Sequence, residues 1–511
     1  MKVLAKYDIR GIQKYIFRTK KLKEIRAVQN IPERIIFESL KEAAEKKLDI
    51  HLTGSLSESD CVSRMKEKGI HILDKAGGNA YILFEHDDAV DIYKTISKEM
   101  AFYILEKTYS LELVYAYVEC TENFFNDYEK LNFRLGKLKS QMPSASHIGA
   151  FSICRRDPNT LFPIIGKDKF GSDITMESYL KNQFHASLSS NKNENILDNY
   201  ILEKGVDSHI AIIHIDGNNM GNRINKILEK ATYENADKVF ASIRVRDRFA
   251  DVCQEMNDLT EQYIQSLLAK DSSKKREDIH LIHAVIQAGD DITYITRADI
   301  ALSFTKKFIQ LVSKKYMIDN TEKPEYLISA CAGIAYIDSH FPFSDGYDLA
   351  EACCANAKKR AKKLKCKDGY IGNWIDYEIC RHIKDTDLTQ SRKSYSIVGS
   401  TVLVKKPYCI SHSLYHNDFF DFDSFENKIR SLKGKTPIIN RSRAKDFREA
   451  YTKGPEYVET LKNAAVSRGY FNTEDEIRLY EDYHSGDGTA LTTYASYYDP
   501  IEIMDLYSDF N

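Results

Sequence analysis

The sequence predicts an α+β fold: two ferredoxin-like β-α-β-β-α-β palms in tandem, a helical linker between them and a helical C-terminal domain. Three observations carry that prediction. Two strand-like runs, Val3 to Asp8 and His209 to Asp216, each end in a carboxylate and lead through glycine into a helical pattern. Each is followed by a hairpin signal, strand then tight turn then strand. The spacing agrees, since Asp8 to Asn79 spans 71 positions and Asp216 to Asp290 spans 74.

In the first copy, Gly11-Ile-Gln-Lys-Tyr-Ile-Phe17 has apolar spacing that suits a helix. His71 to Ala76, Gly77-Gly78 and Asn79 to Phe84 form the hairpin, Asp88 to Leu105 a helix and Leu111 to Val118 a strand. In the second copy, Gly217-Asn218-Asn219-Met220-Gly221 turns into a helix. Leu281 to Ala288, Gly289-Asp290-Asp291 and Ile292 to Ile295 form the hairpin. A helix from Asp299 to Lys315, a strand from Tyr326 to Tyr336 and a helix from Ser344 to Lys367 with a basic end follow. This places the first palm at 1–125, a helical linker at 126–205, the second palm at 206–375 and a helical C-terminal domain at 376–511. The polar stretch Ser187 to Asn195 reads as an exposed loop within the linker.

Composition bounds the function. The 511 residues suggest about three domains. At 43% hydrophobic and 29% charged, the chain is globular rather than disordered or collagen-like. Lys and Arg number 73 against 75 acids, so no global basic excess advertises nucleic acid. No apolar run reaches a membrane span, and Asp8 and Arg10 interrupt any signal-peptide core. Ten cysteines without a C-x-x-C pair read as scattered thiols in a reducing compartment, and the cytoplasm is the expected location.

The chemistry should sit in the second copy. Asp216 ends its first strand, and Asp290 and Asp291 occupy the hairpin tip. In a palm sheet these strands are neighbours, so the three carboxylates converge and repel unless a cation joins them. Hard oxygen donors, with the Gly217 backbone, favour Mg²⁺ or Mn²⁺. Two such ions suit in-line phosphoryl transfer. Gly217, Gly221 and Gly289 let backbone approach a triphosphate, with Met220 between them at the helix start. Asn218 and Asn219 can hydrogen-bond sugar or base. Taken singly, Gly-Asp-Asp is a turn signal and a strand-end Asp an N-cap; together at palm spacing they read as a metal site. The basic run Lys358-Lys359-Arg360, Lys362-Lys363, Lys365 is a solvated helix face from which a lysine can reach phosphate. His209, His214, His280 and His283 lack ligand-like spacing and read as structural. The first copy keeps Asp8, Gly77 and Gly78, but Asn79 and Ala80 stand in place of the two acids, so it lacks the charge for two metals. It can bind nucleotide or serve as the pseudo-dimer partner of the second copy.

Tyr7-Asp-Ile-Arg-Gly-Ile-Gln-Lys-Tyr-Ile-Phe17, Lys21-Leu-Lys-Glu-Ile-Arg26, the Gly77-Gly78 hairpin, Asp216 to Gly221, Gly289-Asp290-Asp291 and Ala332-Gly333-Ile334-Ala335 together resemble the large, double-palm subunit of type III CRISPR effectors. That family is related to GGDEF-type cyclases, and the resemblance covers roughly residues 1–370. It implies that the second palm uses ATP and Mg²⁺ to make cyclic oligoadenylate messengers in antiviral defence, while the first helps bind nucleotide. By resemblance, Asp216, Asp290 and Asp291 are the catalytic, metal-binding acids and Lys358 contacts triphosphate, with Lys362 beside it. The turn reads Ala288-Gly289-Asp-Asp rather than Gly-Gly-Asp-Asp, and alanine is restricted at positive φ. No nuclease domain is read ahead of the first palm and the family's zinc-module cysteine pair is missing. The resemblance is therefore to a stand-alone-like synthase, for which membership in a guide-RNA complex is not implied.

Such an enzyme pairs its two palms within one chain and places two triphosphates between them. It implies an RNA or protein activator and a downstream cyclic-nucleotide effector. Alternatives stay open. A diguanylate cyclase fits the fold, but Asp291 stands where GGDEF enzymes have glutamate. A scaffold subunit of an RNA-guided effector and a nucleotide sensor without turnover are the non-catalytic readings. Lys405-Lys406-Pro407-Tyr408 and Arg441-Ser442-Arg443 read as exposed charge on ordinary helical packing.

Overall fold

The structure, a computed structural model, describes the chain except residues 19–23, 26–30, 49, 51, 53–55, 143–153, 159, 169–170, 187–199, 202–207, 272–274, 277–278, 365–369, 381–386, 394, 413, 472–477, 485–490 and 511. Most of the Lys21–Arg26 motif, the Ser187–Asn195 loop and Lys365 lie outside the described residues. The first palm runs β1 (Lys2–Arg10), α1 (Ile12–Phe17), α2 (Ile31–Leu48), α3 (Glu58–Glu67), β2 (Ile70–Ala76), β3 (Asn79–Glu85), α4 (Ala89–Thr108), β4 (Glu112–Glu119) and α5 (Phe124–Gln141). Next come β5 (Ile164–Lys167), β6 (Asp173–Thr175) and α6 (Met176–Ala186). The second palm runs β7 (His209–Gly217), α7 (Met220–Leu228), α8 (Ala236–Ser242), α9 (Val245–Lys270), β8 (Ile282–Ala288), β9 (Asp291–Arg297), α10 (Ala301–Val312), β10 (Ala330–Asp338), α11 (Phe343–Lys363) and β11 (Asn373–Ile379). The remainder holds α12 (Leu388–Lys393), β12 (Ile397–Val398), β13 (Thr401–Val402), β14 (Tyr408–Ile410), α13 (Phe422–Lys433), α14 (Arg441–Lys453), α15 (Pro455–Ser467), β15 (Tyr480–His484), β16 (Leu491–Ala495) and α16 (Tyr498–Ile503).

These elements divide into two units. One comprises Met1–Glu194, Met220–Arg246 and Val285–Gly289; the other comprises Asn195–Asn219, Asp247–Ala284 and Asp290–Asn511. In the first unit the sheet order is β2-β3-β1-β4, the ferredoxin-like order expected of the repeat. Gly77 and Gly78 both take positive φ (+49° and +90°), as a two-residue type I′ hairpin requires. The Asn123 side chain caps α5 by accepting from Asn126 N at 3.0 Å. Phe124, Tyr128, Leu131 and Leu135 then form one apolar stripe, which packs on Leu4, Leu83, Val114 and Ala116 of the sheet. Leu228 and Phe240 complete that core.

In the second unit the order is β14-β11-β10-β7-β9-β8. The four palm strands repeat the first sheet's order, and β11 and β14 extend it. Both faces of β7 are covered, so its run His-Ile-Ala-Ile-Ile-His-Ile is almost wholly buried. Helix α11 lies on one face through a stripe of Tyr347, Ala350, Cys354, Ala357 and Ala361. Its small residues bring helix and sheet together, and Gly333 on β10 completes the approach. A Cβ at Gly333 would stand 2.0 Å from the Ala350 carbonyl oxygen and 2.3 Å from Cys354 N. Both are backbone atoms and neither can swing aside. Gly333→Ala should therefore push α11 off the sheet and destabilise the second unit by about 3 kcal/mol or more, read as a drop in its chemical unfolding midpoint. Exposed Gly136→Ala, with open space around its Cβ, is the control.

The C-terminal region keeps its expected helices in α13, α14 and α15, but it also holds a sheet of order β12-β13-β16-β15. Strands of two to five residues carry too little periodicity to be read. The linker likewise contains the β5–β6 hairpin beside its helices. Lys405 and Lys406, read as exposed charge, are buried. The Lys406 ammonium meets Glu502 at 3.1 Å and Glu378 at 3.6 Å, while Lys405 pairs with Glu481 at 2.5 Å.

Candidate functional site

Strand register assembles the second palm's site. Ile215 pairs with Ile292, so the next residues outward are Asp216 on β7 and Asp291 on β9. On the other side Asp216 pairs with Cys331 of β10. Alternation puts His214 and Asp216 on the sheet face covered by α11. The Asp216 and Asp291 side chains are about one-third exposed. Gly289 takes φ +68°, while Ala288 and Asp290 do not take positive φ, the pattern of a type II′ turn. Alanine at 288 is thus compatible with the hairpin, because the one residue that needs glycine has it.

Helix α11 brings Lys358 to Asp216. Its ammonium bonds the Asp216 carboxylate and donates to the Gly217 carbonyl at 3.0 Å. Burial alone would lower the Lys358 pKa; the Asp216 charge outweighs it and holds the value above the ordinary lysine range. Burial and the neighbouring Asp216 charge push the Asp290 carboxyl up. His214 Nδ1 stands 3.5 Å from both Asp291 Oδ1 and Thr293 Oγ1, under the edge of Tyr347. Burial drives this imidazole down to about 4 against the pull of Asp216, so it is neutral at physiological pH.

The remaining predicted residues divide. Asn218 is buried, its amide donating to the Gly372 carbonyl at 3.1 Å and its N–H to the Ser329 carbonyl at 2.8 Å. What the structure shows of Asn218 is a tie that fixes the loop. Asn219 is exposed at φ +57°, a conformation asparagine tolerates. Met220 is buried at the start of α7 and Gly221 is exposed beside it. Lys362 is exposed one helical turn beyond Lys358. Among the described residues, no three His, Cys, Asp or Glu side chains are gathered as a ready metal cage. The expected convergence of carboxylates is a set of neighbouring strand ends, and the charge bonded to Asp216 is an ammonium. The donors themselves, Asp216, Asp290, Asp291 and the Gly217 carbonyl, are the hard oxygens that a Mg²⁺ or Mn²⁺ ion takes.

The first palm shows the same design without the acids. Asp8 pairs in register with Asn79, so Asn79 corresponds to Asp291 and Gly78 to Asp290. This shifts by one the alignment read from sequence, in which Asn79 and Ala80 replaced the acid pair. Lys139 of α5 bonds Asp8 Oδ2 at 2.9 Å. Sequence reasoning missed Lys139. The available signal was its position: it lies 15 residues beyond Phe124, which opens α5, as Lys358 lies 15 beyond Phe343, which opens α11.

The fold and these strand ends define a double-palm protein of the ferredoxin-like class, with its acidic centre in the second palm. Residues 209–369 match the family described as Cas10/Cmr2, second palm domain. This part of the chain is similar to that second palm, as the resemblance to the double-palm large subunits implies. Three solved structures share the fold over most of the chain, each at 13% identity. A Csm1–Csm4 cassette in complex with cA4 has a TM-score of 0.50 over 100% of this chain and 70% of that one. The cassette with AMPPNP has 0.51 over 99% and 69%. The cassette with pppApA has 0.50 over 91% and 64%. No curated protein matches by sequence. No helix among the described residues is long and apolar enough to cross a membrane.

Proposed function

We propose that the second palm is a nucleotidyltransferase centre that joins ATP into cyclic or linear oligoadenylate, a second messenger for antiviral signalling. The observation that carries this reading is that Asp216, bonded by Lys358 of α11, ends β7 beside the hairpin that carries Asp290 and Asp291. The cassettes solved with AMPPNP, pppApA and cA4 support adenine nucleotides as substrate and product.

In this reading Asp216, Asp290 and Asp291, with the Gly217 carbonyl, hold the divalent ions. When bound, those ions supply activation of a ribose hydroxyl and charge neutralisation at the leaving pyrophosphate. Lys358 contributes positive charge to the triphosphate, and Lys362 extends it along the same face of α11. Neutral His214 supports Asp291 without adding charge. Asn218 fixes the loop, and Asn219, Gly221 and Gly289 offer backbone to phosphate and sugar.

A second reading is favoured by one observation: the same Asp–Lys pairing occurs in the first palm, which lacks the acids. On that reading both palms bind nucleotide without turnover. Incubating the chain with each labelled triphosphate and Mg²⁺ or Mn²⁺, then resolving products by mass spectrometry, separates the two. Adenylate oligomers with released pyrophosphate are expected. All four triphosphates recovered unchanged, although nucleotide still raises the melting temperature, would establish the binding-only palm.

A further inference from the structure

The Lys358 ammonium bonds two oxygens, the Asp216 carboxylate and the Gly217 carbonyl. These are the two β7 oxygens assigned above to a divalent ion, so one cation excludes the other. Lys358 is not a chance surface lysine at this spot. The repeat places Lys139 at the same step of the equivalent helix, and Lys139 bonds the equivalent aspartate, Asp8. The two palms differ at the hairpin, where Asn79 and Gly78 stand for Asp291 and Asp290. In the first palm the Lys139 ammonium bonds Asp8, with Lys6 also in Coulombic reach of that carboxylate. In the second, the ammonium on Asp216 stands beside a hairpin that carries two further acids, hard oxygen donors of the kind a divalent ion takes.

We infer that Lys358 is an internal counter-cation that holds the metal position of the second palm until a triphosphate draws its ammonium away, so that nucleotide and divalent ion bind with positive coupling. This rests on the reading of the second palm as a metal-dependent centre. A lysine suits the exchange. Its flexible stem lets the ammonium leave Asp216 for phosphate without moving α11, whose own position is fixed by Gly333 against the sheet. Without nucleotide the Asp216 carboxylate keeps a counter-charge, and a metal enters efficiently only together with the phosphates that remove its competitor. The Asp8–Lys139 pair, with no acids at its hairpin, would remain closed throughout.

The test is Mn²⁺ binding, followed by electron paramagnetic resonance of the free ion, with and without a non-hydrolysable ATP analogue. The native chain is compared with Lys358→Met, Lys139→Met and the double variant Lys358→Met/Asp216→Asn, each checked for unchanged circular dichroism. Without nucleotide, Lys358→Met should bind Mn²⁺ about tenfold tighter than the native chain. Lys139→Met should match the native chain, and the double variant should lose the gain. The analogue should tighten Mn²⁺ binding to the native chain and do so less in Lys358→Met. If the native chain takes Mn²⁺ with the analogue but Lys358→Met gains nothing in its absence, the lysine holds no metal position and the inference fails alone. If no variant takes Mn²⁺ in any state, the metal-dependent reading fails and the inference with it.

Discussion

Replacing Asp290 and Asp291 together by Asn should abolish product formation, by about three orders of magnitude or more, while leaving the chain folded. The two acids sit at the hairpin tip, where the backbone turn depends on Gly289 rather than on them. Asp290 also carries a raised pKa, from burial first and then from the Asp216 charge. Its ionised form is therefore disfavoured in the nucleotide-free protein, and an amide of the same shape should relieve that repulsion. The double variant should melt at or above the native temperature and still lose turnover. Product assays and a thermal melt on the same preparation check both halves. Turnover retained within tenfold would mean that these carboxylates do not hold the ions that the reaction needs.

The second large effect is structural. Arg392 should be indispensable to the joint between the palm strand β11 and the C-terminal region. Its guanidinium meets Asp376 with two bonds, at 2.8 and 2.9 Å, and Glu378 at 2.8 Å. Both acids are buried, and Asn356 of α11 also donates to Asp376 at 2.7 Å. Arg392→Met would leave two carboxylates in the interior with a single lysine, Lys406, near Glu378. The expected cost is about 3–5 kcal/mol, seen as a lower chemical unfolding midpoint. Adding Asp376→Asn should recover part of the loss, because a neutral amide needs no counter-charge. A midpoint unmoved by Arg392→Met would contradict the buried network.

Both predictions also show where the sequence was legible. Asp216, Gly289, Asp290 and Asp291 could be found because strand ends and turn glycines are local features, set by a period of two and by positive φ. The order of each palm sheet followed from the repeat alone. The register of the first hairpin did not, since Gly77-Gly78 can be aligned on Gly289 in two ways and only the strand pairing decides that Asn79 stands for Asp291. Lys139 was invisible because a lone lysine on an amphipathic helix looks like solvated surface until its aspartate is placed beside it. Lys406 misled for the same reason, since its partners Glu378 and Glu502 come from distant segments. Long-range pairing also hid the C-terminal sheet, where β13 joins β16 in parallel across some ninety residues of chain.

Anomalous diffraction from crystals of the native chain soaked with Mn²⁺ and a non-hydrolysable ATP analogue locates the metal and the lysine together. Manganese is expected among Asp216, the Gly217 carbonyl and the Asp290–Asp291 hairpin, with the Lys358 ammonium moved from Asp216 to phosphate. Nucleotide bound at the second palm with no manganese there, and Lys358 still on Asp216, would contradict it.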